Sequence, residues 1–442
     1  MPNSETSGEP KKLLTKGVFT ALLFLALAGQ LAWAVENQFY NTFLYDRITP
    51  DPQVVSWMVS ITAVVSTLTT IFMGTLSDRT RTRWGKRRPY LFVGYILWGI
   101  FTAIFPAAAL FQSVAVGIFM AILFDSIMSF FGATASDAAI SAYVADITTV
   151  ENRGRVSGAM QIMTWVAMLI VYGGAGFIIQ ALDYTGFFIV VGGFALLIGL
   201  ICVPILKEAP ATEKPTGSYW GQIIDTFRWK NLVAQRDLFL LLLCLTIFMI
   251  AINTFFPYLM IYLQHYEQLS ITNSSILIAI AIIIGGVGSA VPVGMLVDRW
   301  GRRQVAVLAV LIECAGLILF SISHTLVTLI LAGIVWLGAF TAWTVATGAW
   351  TKDLYPEDKR GQFAGYFVLF NVAFTMIPGS LLGGWLSATY GMSIIIDGQT
   401  GTVPPPLIFQ VAAGLVLFTL IPLALMKRRM KAAEAKKSEI AS

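Results

Sequence analysis

The stretch GTLSDRTRTRWGKRRPY occupies residues 74–90, and a shorter counterpart, GMLVDRWGRRQ, occupies residues 294–304. In both, a glycine stands four residues before an Asp-Arg pair, and Trp-Gly with two basic residues follows. Each stretch comes directly after a long apolar run. The recurrence of one motif at two such places predicts that the second half of the chain repeats the fold of the first half.

A second pair of loops supports this duplication. DITTVENRGRVSG at residues 146–158 aligns without a gap with DLYPEDKRGQFAG at residues 353–365. The first Asp, the Arg-Gly pair and the last Gly fall at the same positions in both. Two matched loops at equivalent places are typical of membrane proteins that are built from two repeated halves.

The composition indicates that the surface of this chain faces lipid. Of its 442 residues, 57% are hydrophobic and only 12% are charged, whereas soluble domains carry about 25% charged residues. A membrane-spanning helix needs roughly 20 apolar residues. Twelve runs of this kind fall at residues 18–44, 54–76, 90–110, 114–144, 156–180, 186–206, 238–263, 272–296, 304–323, 326–350, 362–387 and 406–426. We expect an all-α membrane protein with twelve transmembrane helices in two six-helix bundles related by pseudo-two-fold symmetry.

The basic residues predict how these helices lie in the membrane. If the N-terminus is cytoplasmic and twelve helices follow, every one of the 29 Lys and Arg residues except Arg47 falls in a cytoplasmic segment. Cytoplasmic loops of membrane proteins carry such an excess of Lys and Arg. We therefore expect a multi-pass protein of the cell (inner) membrane with both termini in the cytoplasm.

Other classes of protein find little support. Membrane insertion explains the basic residues, so we expect the lipid bilayer and no nucleic acid as a partner. The sequence has no Gly-rich phosphate-binding loop and no His/Cys set with metal-ligand spacing. We therefore expect no cofactor, no metal site and no enzymatic activity.

The expected domains are two bundles and a linker. Residues 1–206 form the N-terminal bundle with its cytoplasmic tail, and residues 238–442 form the C-terminal bundle with its tail. Residues 207–237 are the only long polar stretch between two apolar runs, and we interpret them as a cytoplasmic linker. Apolar residues recur at helical spacing over 219–227, which is consistent with a short helix on the membrane surface or with a disordered loop.

The repeated loops resemble the signature loops of the major facilitator superfamily, and the resemblance covers nearly the whole chain. It implies the major facilitator fold and a secondary transporter that works by alternating access. The first loop is longer than usual, and DRTRTRWGKRRPY at residues 78–90 resembles the glycoside–pentoside–hexuronide cation symporters and the sucrose/proton symporters. That resemblance implies a neutral sugar or glycoside that is moved with a cation.

One departure from this pattern concerns the coupling ion. In members of the family that resemble melibiose permease, acidic residues in the second helix help to bind sodium. The second helix here, VVSWMVSITAVVSTLTTIFMG at residues 54–74, has no carboxylate. A proton is therefore the expected coupling ion, and sodium is less favoured.

The repeated loops also suggest a gate. Charged groups in these loops hold the two bundles together in the superfamily, and individual pairs at a membrane surface are weak, about 0–1 kcal/mol, which suits a contact that opens in each cycle. If these loops only set the topology, positive charge alone would be sufficient. That interpretation does not explain why the full motif occurs twice. The predicted gate residues are Asp78, Arg79, Arg87, Asp146, Arg153, Asp298, Arg299, Arg303, Asp353 and Arg360.

Four carboxylic acids lie within the predicted spans, where no Lys or Arg accompanies them: Glu36, Asp125, Asp137 and Glu313. A charge at the bilayer centre costs about 2.5–3.5 kcal/mol or more, so such acids should be neutral, hydrated or bound to a cation. We predict Asp125, near the middle of the fourth helix, as the proton-coupling residue, with Glu36 as the next candidate. Asp137 is a candidate for the inner gate, and Glu313 for a structural role.

Polar and aromatic residues within the spans suggest where substrate binds. The cluster around Glu36 is too polar for a lipid-facing surface, and Trp343 lies at mid-span on an aromatic stripe of the tenth helix. Pro257 follows Asn253 by one turn and is expected to kink the seventh helix. The predicted substrate-binding residues are Glu36, Asn37, Tyr40, Asn41, Gln161, Trp165, Asn253, Trp343 and Asn371.

A second function stays open at this point. Acids and aromatic residues without basic partners also suit an exporter of drugs or cationic amphiphiles that works as a proton antiporter. The class of ligand that stabilises the purified protein distinguishes this alternative from a sugar symporter.

Overall fold

The computed structural model describes residues 13–208, 236–354 and 368–426, without the side chains of residues 150, 151, 349, 352 and 353. These residues are almost entirely helical. We number the membrane-spanning helices α1 (Lys16–Arg47), α2 (Pro52–Arg79), α3 (Arg88–Leu110), α4 (Val114–Ile147), α5 (residues 150–182), α6 (residues 184–205), α7 (Arg236–Tyr266), α8 (Ile271–Trp300), α9 (Arg302–Ser321), α10 (Leu326–Leu354), α11 (Leu369–Tyr390) and α12 (Leu407–Met426).

Helices α5 and α6 follow each other with almost no loop. Backbone hydrogen bonding runs through Val150–Cys202, a stretch of 53 residues. At 1.5 Å per residue it would be about 80 Å long, more than twice the thickness of the hydrocarbon core. Asp183, with φ 58° and ψ 177°, breaks it. The chain therefore turns back at Asp183, between the two spans predicted at 156–180 and 186–206.

The expected fold is confirmed. Eleven helices in the described part of the chain are long and apolar enough to cross a membrane, and the break at Asp183 divides one of them into two. Small residues permit close helix packing within the bundles. Helices α3 and α6 cross at Gly99 and Gly192, where a Cβ on either glycine would meet the backbone of the other helix. Most of the linker predicted at 207–237, and all of the segment 219–227, lie outside the described residues.

Several helices depart from regular α geometry. Five π-helical turns interrupt the described helices, at Glu36–Tyr40, Ala133–Ile140, Tyr262–Tyr266, Ile282–Val287 and Leu369–Ala373. Pro257 lies in a 3₁₀ turn, Phe256–Tyr258, so the predicted distortion of α7 at this proline is present. π-Helical turns within α-helices are frequent at functional sites. The turns at Glu36 and Ala133 each hold a predicted functional acid.

A β-hairpin connects α11 to α12, in a segment that the sequence patterns left without structure. Strand β1 (Met392–Ile396) pairs in antiparallel fashion with β2 (Gln399–Val403). The turn between them is Asp397-Gly398, with φ values of 48° and 78°. Positive φ at both positions is the geometry of a type I′ turn, for which Asp-Gly is a preferred pair. The Asp-Gly dipeptide beside three isoleucines was the sequence signal for this hairpin.

The two ends of the molecule differ. We call the end with the basic loop at residues 80–87 and with Gly301 the basic face, and the opposite end, with residues 48–51 and the hairpin, the far face. Hydrogen bonds that join the described parts of the two halves lie towards the far face. They include Ser60 Oγ to Ser380 Oγ (3.1 Å) and Gly176 N to Ser275 Oγ (3.2 Å). The halves are therefore closed against each other on the far face.

Candidate functional site

Two carboxylic acids from different helices meet inside the N-terminal bundle. Asp125 of α4 is only 2% exposed, and its side chain interacts directly with that of Glu36 on α1. Ser129, one turn after Asp125 on the same face of α4, donates a hydrogen bond of 2.7 Å to Glu36 Oε1. Two ionised carboxylates repel each other, and neither can donate a hydrogen bond. A proton that is shared by the pair removes both difficulties.

The remaining oxygens of this pair are available. Glu36 Oε2 and Asp125 Oδ1 are buried, and neither has a hydrogen-bond donor in the described part of the chain. Buried polar atoms normally find a partner, because an unpaired one costs about 1–3 kcal/mol. The two acids therefore have the capacity to take up a proton, a cation or a hydroxyl group of a ligand.

A π-helical turn begins at Glu36. The π-helical turn at Glu36–Tyr40 adds a residue to the regular helical repeat and shifts the side chains that follow it. Tyr40, also in this turn, is fully buried and stacks on Phe105, with ring centroids 3.7 Å apart. Sequence periodicity assumes regular helices and therefore did not predict this turn.

A cavity of about 380 Å³ lies between α1, α4 and α5, in the half of the membrane next to the basic face, and neither Glu36 nor Asp125 lines it. Asp137 lies on its wall with an exposed side chain, and its charge acts on Glu36. No Lys or Arg occurs among the residues described around it. The other lining residues are small, apolar or neutral: Ala26, Gln30, Ser136, Ile140, Ser141, Val144, Ser157, Met160, Gln161 and Thr164.

One predicted substrate residue lies on the wall of this cavity. Gln161 of α5 lines it with an exposed side chain, as predicted for a binding residue. Trp165, one turn further along α5, is half-buried and packs over Gly286 of α8, so it contributes to the contact between the two halves. Asn371 is half-buried in the π-helical turn of α11.

The three predicted asparagines of α1 and α7 bond within their own helices. The amides of Asn37, Asn41 and Asn253 each donate to the carbonyl oxygen four residues earlier, at 2.7, 2.9 and 2.8 Å. Such a bond fixes the rotamer of the amide. The amide oxygen then stays free to accept a hydrogen bond from a neighbouring group. Gln38 was not among the residues that the sequence predicted for the site. Its side-chain amide nevertheless reaches the C-terminal half and donates to Phe256 O at 2.5 Å, in the 3₁₀ turn at Pro257.

Trp343 is buried within the C-terminal bundle. It is 1% exposed and stacks on Phe248 of α7, with ring centroids 4.4 Å apart and planes 9° from parallel. One face of the indole is therefore covered, and its Nε1–H has no acceptor in the described residues. Glu313 of α9 is fully buried, and neither of its oxygens has a donor there. The structure gives no contact that accounts for Glu313.

Three of the predicted gate residues of the first half, Asp78, Arg87 and Asp146, form one cluster. Arg87 is 3% exposed and pairs with Asp78, and its Nε lies 3.3 Å from Asp146 Oδ2. Lys86 reaches the same oxygen at 2.9 Å. Arg153 donates from Nε to Thr148 Oγ1 at 3.3 Å, and Arg79 is half-buried at the end of α2. These ion pairs lie within the N-terminal bundle.

The second half presents its copy of the motif differently. Asp298 and Arg299 are exposed, and Asp298 has no ion pair with the described part of the chain. Arg303 donates from Nε to Leu423 O at 3.3 Å. The side chain of Asp353 and the whole of Arg360 lie outside the described residues. The two copies of the motif are therefore in different environments.

Sequence reasoning missed Glu208, which completes the first cluster. Its carboxylate accepts hydrogen bonds from the backbone N–H groups of Lys86 (2.6 Å), Arg87 (3.0 Å) and Arg88 (2.7 Å), at the N-terminus of α3. Unpaired N–H groups and the helix dipole both favour an anion there. Glu208 is remote in sequence from α3, so no local pattern could predict the contact.

Comparison with known proteins agrees with this fold. The family model described as Major Facilitator Superfamily matches residues 18–291 and 284–441. The chain belongs to this superfamily, and it is a multi-pass secondary transporter and not an enzyme. No curated protein sequence matches it.

Solved structures with the same fold are distant in sequence. A mutant form of the nucleoside transporter NupG is similar with a TM-score of 0.72 and 13% identity, over 92% of this chain and 99% of that one. A bacterial homolog of the human lysosomal transporter Spinster, inward-facing and occupied, gives 0.67 and 14%, over 96% and 98%. The xylose transporter XylE from E. coli, partially occluded and inward-open, gives 0.65 and 13%, over 93% and 97%.

Proposed function

We propose that this chain is a proton-coupled symporter of a neutral sugar or glycoside, which it moves by alternating access between its two six-helix bundles. The observation that carries the proposal is the contact between Glu36 and Asp125, away from any basic residue of the described spans. A shared proton makes this pair stable in the membrane. Loss of that proton creates a charge that must be satisfied before the carrier can reorient.

The cavity supports a neutral, hydroxylated substrate. Its hydroxyl and amide groups can both donate to and accept from sugar hydroxyls. An anionic substrate would need a basic residue, and the described wall has none. The loop at residues 78–90 also resembles sugar symporters, and two proteins of similar structure are described as a nucleoside transporter and a xylose transporter.

We further propose that the basic face is cytoplasmic, that the division falls at 1–206, 207–237 and 238–442, and that the cell membrane holds the protein. The distribution of Lys and Arg supports this orientation. In that orientation the structure faces inward. Pro215→Cys and Ala435→Cys should then resist a membrane-impermeant thiol reagent in intact cells, and labelling without permeabilisation would contradict the orientation.

One observation favours the second candidate, an exporter of cationic amphiphiles. Asp137 is the one charged group on the described wall of the cavity, and an exposed acid suits a cation. Purified protein should be screened for thermal stabilisation by glycosides and by lipophilic cations. We expect glycosides to raise Tm, and uptake of the stabilising glycoside into proteoliposomes to follow an imposed proton gradient. Stabilisation by lipophilic cations alone would favour the exporter.

A further inference from the structure

The β-hairpin between α11 and α12 contacts the opposite half of the protein. It belongs to the C-terminal half by sequence, yet its second strand lies against residues 48–51, which connect α1 to α2. Thr402 N donates to Pro50 O at 3.2 Å, and Gln399 Nε2 donates to Ile48 O at 3.0 Å. Tyr45 OH donates in return to Thr402 O at 2.8 Å.

The fit at Gly401 is closer still. A Cβ on Gly401 would meet Pro50 O and would lie 2.6 Å from Pro50 Cβ. A residue with a side chain therefore cannot occupy this position while the strand is docked. Thr400, its neighbour, has an exposed side chain that does not take part in the contact. Docking of the hairpin thus requires glycine at position 401, whereas position 400 accepts a side chain.

A second contact between the halves lies beside the hairpin. His265 Nε2 of α7 is 2.7 Å from Asp46 Oδ1 of α1, and Tyr45 lies next to His265, with ring centroids 5.2 Å apart. Tyr184 OH donates to the other oxygen of Asp46 at 2.9 Å. Tyr45 thus touches both the hairpin and His265, and the two contacts form one continuous closure on the far face.

We propose that the hairpin is a strap that holds the far face closed while the cavity faces the basic side, and that it detaches from residues 48–51 whenever the far face opens. Alternating access requires the two halves to separate on the far face. The hairpin is anchored to α11 and α12 at both ends, whereas its partners belong to the other half. Its hydrogen bonds to Pro50 and Ile48 must therefore break in each cycle.

This role predicts that weaker docking favours the state in which the far face is open. Gly401→Val prevents docking sterically. Thr400→Val places the same side chain at the exposed neighbouring position, where it only exchanges a hydroxyl for a methyl group. The proposed role of the hairpin assumes alternating access, which is part of the proposed function. It assumes neither proton coupling nor a sugar substrate. Its test can therefore be made without a substrate, and its failure leaves the proposed function standing.

The test uses a cysteine that the far-face closure conceals. Cys202, Cys244 and Cys314 are replaced by alanine, and Ser380→Cys is introduced, because Ser380 is fully buried in the closed structure. The rate of labelling by an impermeant maleimide from the far side then reports opening. We expect Gly401→Val to label severalfold faster than the parent, and Thr400→Val to label at the parent rate.

Equal labelling rates in Gly401→Val and the parent, with both proteins monodisperse and equally stable, would overturn the proposal. If Gly401→Val does not fold, Tyr45→Phe decides, because it removes only the hydroxyl that donates to Thr402. Faster labelling in Tyr45→Phe supports the strap. An unchanged rate means that the hairpin stays docked in both states and is a fixed connection.

Discussion

Asp125 on α4 and Glu36 on α1 meet inside the N-terminal bundle, and Ser129 holds Glu36 with a hydrogen bond of 2.7 Å. The two acids come from helices that are separated by α2 and α3 in the chain. Neither sequence position alone indicates that its carboxyl group has a second one beside it. This contact joins Asp125, the first candidate for proton coupling, to Glu36, which was predicted for substrate binding and as the next coupling candidate.

The gate prediction concerns Asp78. Asp78→Asn removes the negative charge that pairs with Arg87, a nearly buried base that would keep Asp146 as its remaining acid. We expect slower transport with little change in substrate affinity, because no residue of the cluster lines the cavity. Turnover in proteoliposomes and substrate binding to purified protein are the measurements.

Asp298→Asn is the matching change in the second copy of the motif. We expect it also to slow transport, although Asp298 is exposed and has no ion pair in the described part of the chain. If both variants transport at the parent rate, the two loops do not form a gate and only set the topology.

A stability prediction follows from Gly85 and Glu208. Gly85 has φ 107°, and a Cβ there would lie 2.5 Å from Glu208 Oε2. Gly301, its counterpart in the second half, has φ 86° and open space around it. Positive φ costs an alanine about 1–2 kcal/mol in either position, but only Gly85→Ala also displaces Glu208.

We therefore expect Gly85→Ala to lower Tm more than Gly301→Ala does. Thermal unfolding of the two variants in the same detergent measures this difference. Equal losses would mean that the carboxylate of Glu208 moves aside without cost and does not hold the start of α3.

Trp343 gives a prediction about substrate affinity. Trp343 is buried in this structure, so substrate can stack on its indole only in a state that uncovers it. If substrate does stack there, Trp343→Ala should weaken binding by about 1–3 kcal/mol, the range known for stacking of bases on aromatic side chains. Phe248→Ala is the control, because it removes the stacking partner and leaves the indole in place. Binding assays should show a larger loss for Trp343→Ala, whereas parent affinity in Trp343→Ala would restrict its role to packing.

The sequence predicted those features that depend on hydropathy, on charge and on repetition. Span lengths follow from bilayer thickness, so the break at Asp183 falls between two predicted spans. Contacts between remote segments, such as Glu208 with the start of α3 or Gln38 with Phe256, leave no local pattern. The hairpin did have a local sequence signal, the Asp397-Gly398 pair. The search for apolar runs of membrane length does not detect a signal of this kind.

Within the site, the sequence likewise predicted the individual acids but not the contact between them. Each acid could be identified as a candidate because it lies in an apolar span, where a lone charge is costly. Their proximity depends on how α1 packs against α4, as at Trp33 and Gly132, and sequence periodicity does not describe that packing.

The most direct test of proton coupling compares two modes of transport in Asp125→Asn. The amide mimics the protonated acid, so the variant should still exchange labelled for unlabelled substrate in counterflow. It should not concentrate substrate when a proton gradient is imposed, because position 125 then has no proton to release. Glu313→Gln, which neutralises an equally buried acid in α9, should retain both modes. Concentrative uptake by Asp125→Asn at the parent level would contradict the account and would make Glu36 the next residue to test.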